Sequence, residues 1–175
     1  MIQHTSGYLG LKLTPSLEDY LKSIYILSIT KREVRVSDIA NYMNVRLPSV
    51  SEALKKLKDK GLIVYDRYSS ISLTSKGYEI ARNIVKRHQL ILYFLQNILG
   101  LPPDIASKEA CIMEHFISDE TIRRLSIFIE TFTKYCTSKI LAQKLTQNGT
   151  SLSNNNGGEN CNDPKNDDDV ILWKH

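Results

Sequence analysis

Apolar residues in the first third of the chain recur at helical spacing. Behind Thr14-Pro15-Ser16, the residues Leu17, Tyr20, Leu21 and Ile24 fall at i, i+3, i+4 and i+7, which predicts an amphipathic helix over residues 16–29. The polar stretch Thr30 to Glu33 ends it. A short second helix carrying Ile39, Ala40 and Met43 inward is expected to start at Ser37 as its cap. Asn44-Val45-Arg46 makes a tight connection. Pro48 suits the first turn of a third helix, where its missing N–H costs nothing. Val50, Ala53, Leu54 and Leu57 give that helix an apolar face, and Gly61 supplies a left-handed stop. The spacing then changes. Leu62 to Tyr65 and the alternation around Ile71 and Leu73 predict two strands with a polar turn between them. Helical spacing returns from Thr74 to about Leu99, from Pro102 to about Phe116, and from Ser118 through Phe132.

Two short helices, a tight turn and a β-hairpin are the pattern of a winged helix-turn-helix, whose second short helix enters the major groove. The expected fold is therefore mainly α with a small β-wing: a winged helix-turn-helix followed by a helical dimerisation domain. Four regions follow: an N-terminal tail over 1–13, the DNA-binding domain over 14–76, a helical domain over 77–145, and an Asn/Gly-rich acidic tail over 146–175. The last has too few apolar residues to offset its ordering entropy and is expected to be disordered.

Charge sharpens this picture. The net charge of +4 hides an acidic tail: residues 146–175 hold five acidic and two basic side chains, which leaves a net of +7 on the rest. A basic body suits a polyanion such as double-stranded DNA. Residues 46–76 carry seven basic and three acidic side chains. On the outward face of the third helix, Ser49 and Ser51 are small enough to approach base edges, and Lys55 and Lys56 can lie along phosphates. Arg46 and Pro48 begin that helix, and Arg35 and Ser37 begin the second; all four join the DNA-contact candidates. Arg67 and Tyr68 occupy the wing tip. Glu52, also outward, repels phosphate and helps only by accepting from a cytosine amine or by rejecting wrong sites. The longest apolar run, Leu90 to Leu95, is far shorter than the roughly 20 residues of a membrane span. Residues 1–13 lack a basic segment followed by an apolar one, so no secretory signal is expected. Three widely spaced cysteines resemble no disulfide framework and suit a reducing cytoplasm.

The second half adds metal chemistry. In Glu109-Ala110-Cys111-Ile112-Met113-Glu114-His115, helical spacing puts Cys111, Glu114 and His115 on one face. A thiol, a carboxylate and an imidazole suit a borderline divalent ion: Fe²⁺, Mn²⁺, Co²⁺, Ni²⁺ or Zn²⁺. The same residues also read as a small buried hydrophobe beside a chance Glu-His pair.

Several segments carry a resemblance to a known family: T14-P-S-L-E-D-Y-L-K22, R35-V-S-D-I-A40, P48-S-V-S51, K60-G-L-I63, L73-T-S-K-G77, R87-H88, and E109-A-C-I-M-E-H115 with I117-S-D-E120. Taken together over residues 14–135, the chain resembles the diphtheria-toxin-repressor and manganese-transport-regulator group of metal-dependent repressors. The resemblance puts Asp19, His88, Cys111, Glu114 and His115 on metal-ligand positions, with Fe²⁺ or Mn²⁺ the foremost ions. It also shows departures. Lys22 stands where manganese-type members have a second carboxylate, and reads more simply as an i, i+4 partner of Glu18. Leu92 and Ser107 replace ancillary ligands of the iron-type members, and the low-complexity last thirty residues are not expected to form those members' SH3-like third domain.

The resulting expectation is a homodimeric, metal-dependent repressor on a palindromic operator, with the ion tying the first helix to the dimer scaffold. Ile117, Leu125, Phe128 and Phe132 are candidates for the apolar dimer surface. Two other classes stay open: a winged-helix regulator that senses no metal, and a metalloenzyme using Glu114 and His115.

Overall fold

A computed structural model describes residues 7–8, 11–65 and 70–147. A two-stranded antiparallel ribbon, β1 (Gly7–Tyr8) with β2 (Leu11–Lys12), stands where the sequence reads only as a tail. The sequence suggests no strand there because two-residue strands are too short to show alternation.

The chain divides into two compact units. One runs to His88 and takes in Glu114–Phe116; the other holds Gln89–Met113 and the residues from Ile117 on.

In the first unit, α1 (Pro15–Thr30) opens under Thr14, whose hydroxyl accepts the Leu17 N–H at 3.4 Å. Its stripe of Leu17, Tyr20, Leu21, Ile24 and Leu27 is buried. α2 (Val36–Met43) is capped by Arg35, two residues before the expected Ser37. The reason is Asp38, whose carboxylate accepts the Arg35 backbone N–H at 2.8 Å and so starts the helix early. Asn44 turns out of α2 at φ 52°, a left-handed conformation that its short polar side chain tolerates. α3 (Leu47–Asp59) buries Val50, Ala53, Leu54 and Leu57. Gly61 then turns at φ 68°, as the sequence predicts.

The wing pairs β3 (Ile63–Val64) with β4 (Ser72–Leu73), antiparallel, with Ile63 opposite Leu73. The Ile71 N–H donates to the Val34 carbonyl at 2.8 Å and ties the wing to the segment before α2. Its tip, residues 66–69, lies outside the described residues and includes Arg67 and Tyr68. α4 (Ser75–Tyr93) starts against the wing: the Thr74 hydroxyl accepts the Gly77 N–H at 3.0 Å and donates to the Gly61 carbonyl at 2.8 Å. A β-carbon on Gly77 would sit 1.8 Å from the Leu62 carbonyl oxygen, so only glycine fits this approach. The core of the unit gathers Leu21, Ile24, Ile39, Leu54, Leu57 and Ile80, all essentially inaccessible.

In the second unit, α4 widens into a π-turn over Phe94–Ile98 before Gly100 reverses the chain at φ 70°. α5 (Pro103–Phe116) and α6 (Asp119–Gln147) follow, α6 capped by Ser118, whose hydroxyl accepts the Thr121 N–H. α6 continues beyond the residues whose periodicity predicts it. Ile91, Leu95, Ala106 and Ala110 form the core, with Ile117, Ile122 and Leu125 packed against it. On α6, Ile129 is buried and Phe132 is exposed. Phe128, also exposed, contacts Phe94 edge-on and stacks with Phe132, centroids 6.2 and 5.8 Å apart. Among the described residues no helix is long and apolar enough to cross a membrane. The acidic segment from residue 148, Cys161 included, lies outside the described residues.

Candidate metal centre and nucleic-acid interface

The apolar stripe of α1 turns its neighbouring acids inward. Glu18 lies beside Leu17 and Leu21 and is only 2% exposed; Asp19, one residue further round, is half-buried. Residues 114–116 of α5 belong to the same compact unit and bring two more buried polar groups, Glu114 and His115. The His115 ring meets both acids of α1, with Nδ1 2.7 Å from Glu18 Oε2 and Nε2 3.1 Å from Asp19 Oδ1. His88, near the end of α4, places Nδ1 2.6 Å from Glu114 Oε2. Lys22 donates to Glu114 Oε1 and lies 3.8 Å from Asp19. Arg87 donates to the Glu114 backbone carbonyl at 3.1 Å, which holds this end of α5 in place.

The electrostatics follow from this crowding. Burial alone would push the His115 imidazole pKa down. Hydrogen bonds to Asp19 and Glu18, with the charges of Asp19 and Glu114, outweigh burial and raise it to about 9. His115 is therefore an imidazolium at neutral pH, donating from both nitrogens. Three carboxylates thus face one imidazolium and one ammonium. Buried carboxylate and imidazole groups held in place by cations are the donor types a divalent first-row ion takes, and the ion would replace the positive charge that now balances them.

Four of the five predicted ligands, Asp19, His88, Glu114 and His115, are thereby brought into one group, through the His88–Glu114 and His115–Asp19 hydrogen bonds and the ion pair of His115 with Glu114 at 3.5 Å. Cys111 is exposed on α5, three residues before Glu114. The expected Lys22–Glu18 pair is absent: Lys22 turns to Glu114, and Glu18 pairs with His115. The i, i+4 rule weighs only the surface of α1, whereas a buried carboxylate 92 residues away competes for the same ammonium. Glu18 was not expected in the group. Its position beside the Leu17–Leu21 stripe was the available signal, since an acid there is buried and needs a partner.

The DNA-contact candidates divide differently. Ser49, Ser51, Glu52, Lys55 and Lys56 are exposed on α3, opposite its buried face; Arg46 and Pro48 are exposed at its start, Arg35 and Ser37 at the start of α2. Glu52 is not a bare charge. Lys56 donates to it at 2.7 Å, and this hydrogen bond holds the Glu52 carboxyl below its ordinary pKa. Lys58 turns back to the wing and donates to the Tyr65 carbonyl at 2.6 Å.

A winged helix-turn-helix whose first helix carries acids into a carboxylate-histidine group defines a DNA-binding regulator with a metal-type centre. The chain belongs to the iron-dependent repressor family. Residues 12–71 match that family's N-terminal DNA-binding domain, and residues 74–139 its metal-binding and dimerisation domain. An HTH-type transcriptional regulator of Methanocaldococcus jannaschii is 40% identical over 121 residues, covering 69% of this chain and 97% of the relative. The regulator MntR of Shouchella clausii is 39% identical over 119 residues, covering 68% and 82%. Among solved structures, the manganese regulator SloR superposes with a TM-score of 0.61 at 39% identity, covering 67% of this chain and 55% of that one. A manganese-dependent transcriptional repressor in complex with manganese gives 0.60 at 30%, covering 65% and 52%. The chain thus spans about half the length of these solved regulators. The family is one of transcription regulators, not enzymes, which disposes of the metalloenzyme alternative.

Proposed function

We propose that this protein is a cytoplasmic, homodimeric repressor of metal-uptake genes that binds a palindromic operator when a divalent ion, Mn²⁺ or Fe²⁺, fills the centre formed by Asp19, His88, Glu114 and His115. Cys111, one turn before Glu114 on α5, is the remaining residue that the resemblance puts on a ligand position. One observation carries the reading: His115 of α5 takes Glu18 and Asp19, both on the helix that leads into the DNA-reading module. An ion there supplies two positive charges where several acids converge. The chain's own residues do the rest. Glu18 orients the His115 ring through Nδ1, Arg87 holds the Glu114 backbone, and α1 passes the constraint to α2 and α3 through their shared core. Restricting α1 favours the arrangement in which two recognition helices of a dimer stand about 34–36 Å apart, one turn of DNA. Ser49, Ser51, Lys55 and Lys56 then reach the groove and its phosphates, with Arg67 and Tyr68 at the wing.

A Glu114→Ala variant tests the assignment in a metal-titrated DNA-binding assay. It is expected to lose the response to Mn²⁺ and Fe²⁺ while keeping weak, salt-sensitive binding to any duplex. A variant as metal-responsive as the wild type would overturn it.

A further inference from the structure

Both side-chain oxygens of Glu114 have partners: Oε2 meets His88, and Oε1 accepts from Lys22. The two partners differ in what they can do toward a divalent ion. An imidazole offers a lone pair; an ammonium has none and carries the same sign of charge. The Lys22 side chain is largely enclosed, at 15% exposure, and its ammonium also lies 3.8 Å from Asp19. It stands between two acids of the proposed centre and is attached to the helix that supplies one of them.

We propose that Lys22 is a tethered cation that competes with the divalent ion for Glu114 and Asp19, and so sets the metal concentration at which the centre fills. The inference rests on the metal-centre reading above. Lys22 acts twice in the same direction. It stabilises the ion-free chain, because Glu114 is almost wholly buried and a carboxylate there without a cation is costly. It also disfavours the filled centre, because an ion takes Glu114 only by displacing the ammonium. The flexible four-carbon stem lets the ammonium swing toward solvent when displaced, which makes the competition reversible. An uncharged residue at this position would remove the ammonium from Glu114 Oε1 and from beside Asp19, leaving only the imidazoles of His88 and His115 against these two acids.

The test is calorimetric titration of Mn²⁺ into the full chain, comparing wild type with Lys22→Gln, Lys22→Met and Lys22→Arg. The two neutral variants are expected to bind Mn²⁺ about tenfold tighter or more, and Lys22→Arg, which keeps the charge, to stay within about threefold of wild type. A merely structural lysine would give the opposite sign, since loosening the site weakens binding. Neutral variants equal to or weaker than wild type overturn the proposal. A second readout needs no variant. With ¹⁵N-lysine labelling, saturating Zn²⁺ is expected to move the Lys22 Nζ resonance toward that of a solvated lysine, and an unmoved resonance overturns the proposal. Wild-type chain that takes up neither ion defeats the metal-centre reading itself, and that failure shows before any Lys22 variant is made.

Discussion

Asp38 performs two tasks at the start of α2: one carboxylate oxygen accepts the Arg35 N–H, and the other accepts from Lys31. The Lys31 hydrogen bond first, and the Arg35 backbone second, hold its carboxyl below the ordinary pKa. Asp38→Ala is therefore expected to cost about 1 kcal/mol, a typical value for a lost helix cap, read as a lower melting temperature at pH 7. The sign of its pH dependence follows from the lowered pKa. The contribution is fully present above the unfolded carboxylate pKa of about 4. It is lost as pH falls through the folded value. The gap between wild type and Asp38→Ala should then narrow in acid; a gap that widens would contradict the cap. Local chemistry of this kind was open to sequence reasoning, yet Ser37 was the expected cap. Serine is the better capping residue by type, but Asp38 reaches back to the N–H of a residue whose own side chain caps nothing.

Elements were legible wherever a period or a special backbone position marked them. The stripe of α1, Pro48 in the first turn of α3, and the turn at Gly61 all stand as the spacing predicts. The π-turn at Phe94–Ile98 was not legible, because one extra residue in a helical turn leaves the apolar pattern nearly intact. The joint between wing and α4 makes a prediction at this scale. Gly77→Ala places a methyl 1.8 Å from the Leu62 carbonyl oxygen, so helix or strand must move; Gly61→Ala meets no atom within 4 Å and strains only its own backbone. Gly61→Ala should cost about 1 kcal/mol, and Gly77→Ala about 3 kcal/mol or more, as for other severe steric clashes. Urea unfolding distinguishes them; equal costs would refute the close approach.

For the whole molecule, the sequence indicated the fold class and the ligand types, but not how the ligands are joined. The group of Glu18, Lys22, Glu114 and His115 depends on pairings more than ninety residues apart, and no local rule chooses among them. The proposed dimerisation belongs to the same scale. Phe128 and Phe132 form an exposed stacked pair in a region matching the family's metal-binding and dimerisation domain. Replacing both with glutamate should give a folded monomer by light scattering and weaken operator binding sharply, because one half-site remains; an unchanged dimer would move the interface elsewhere. In the proposed function, an ion in the Asp19–His88–Glu114–His115 centre turns DNA binding on. Fluorescence anisotropy of a palindromic operator duplex, titrated with the wild-type chain under anaerobic conditions, tests it most directly. Mn²⁺ or Fe²⁺ should tighten binding by at least about a hundredfold, roughly 2.7 kcal/mol, and a chelator should reverse the gain. Operator affinity that is the same with either ion and with chelator would contradict the account.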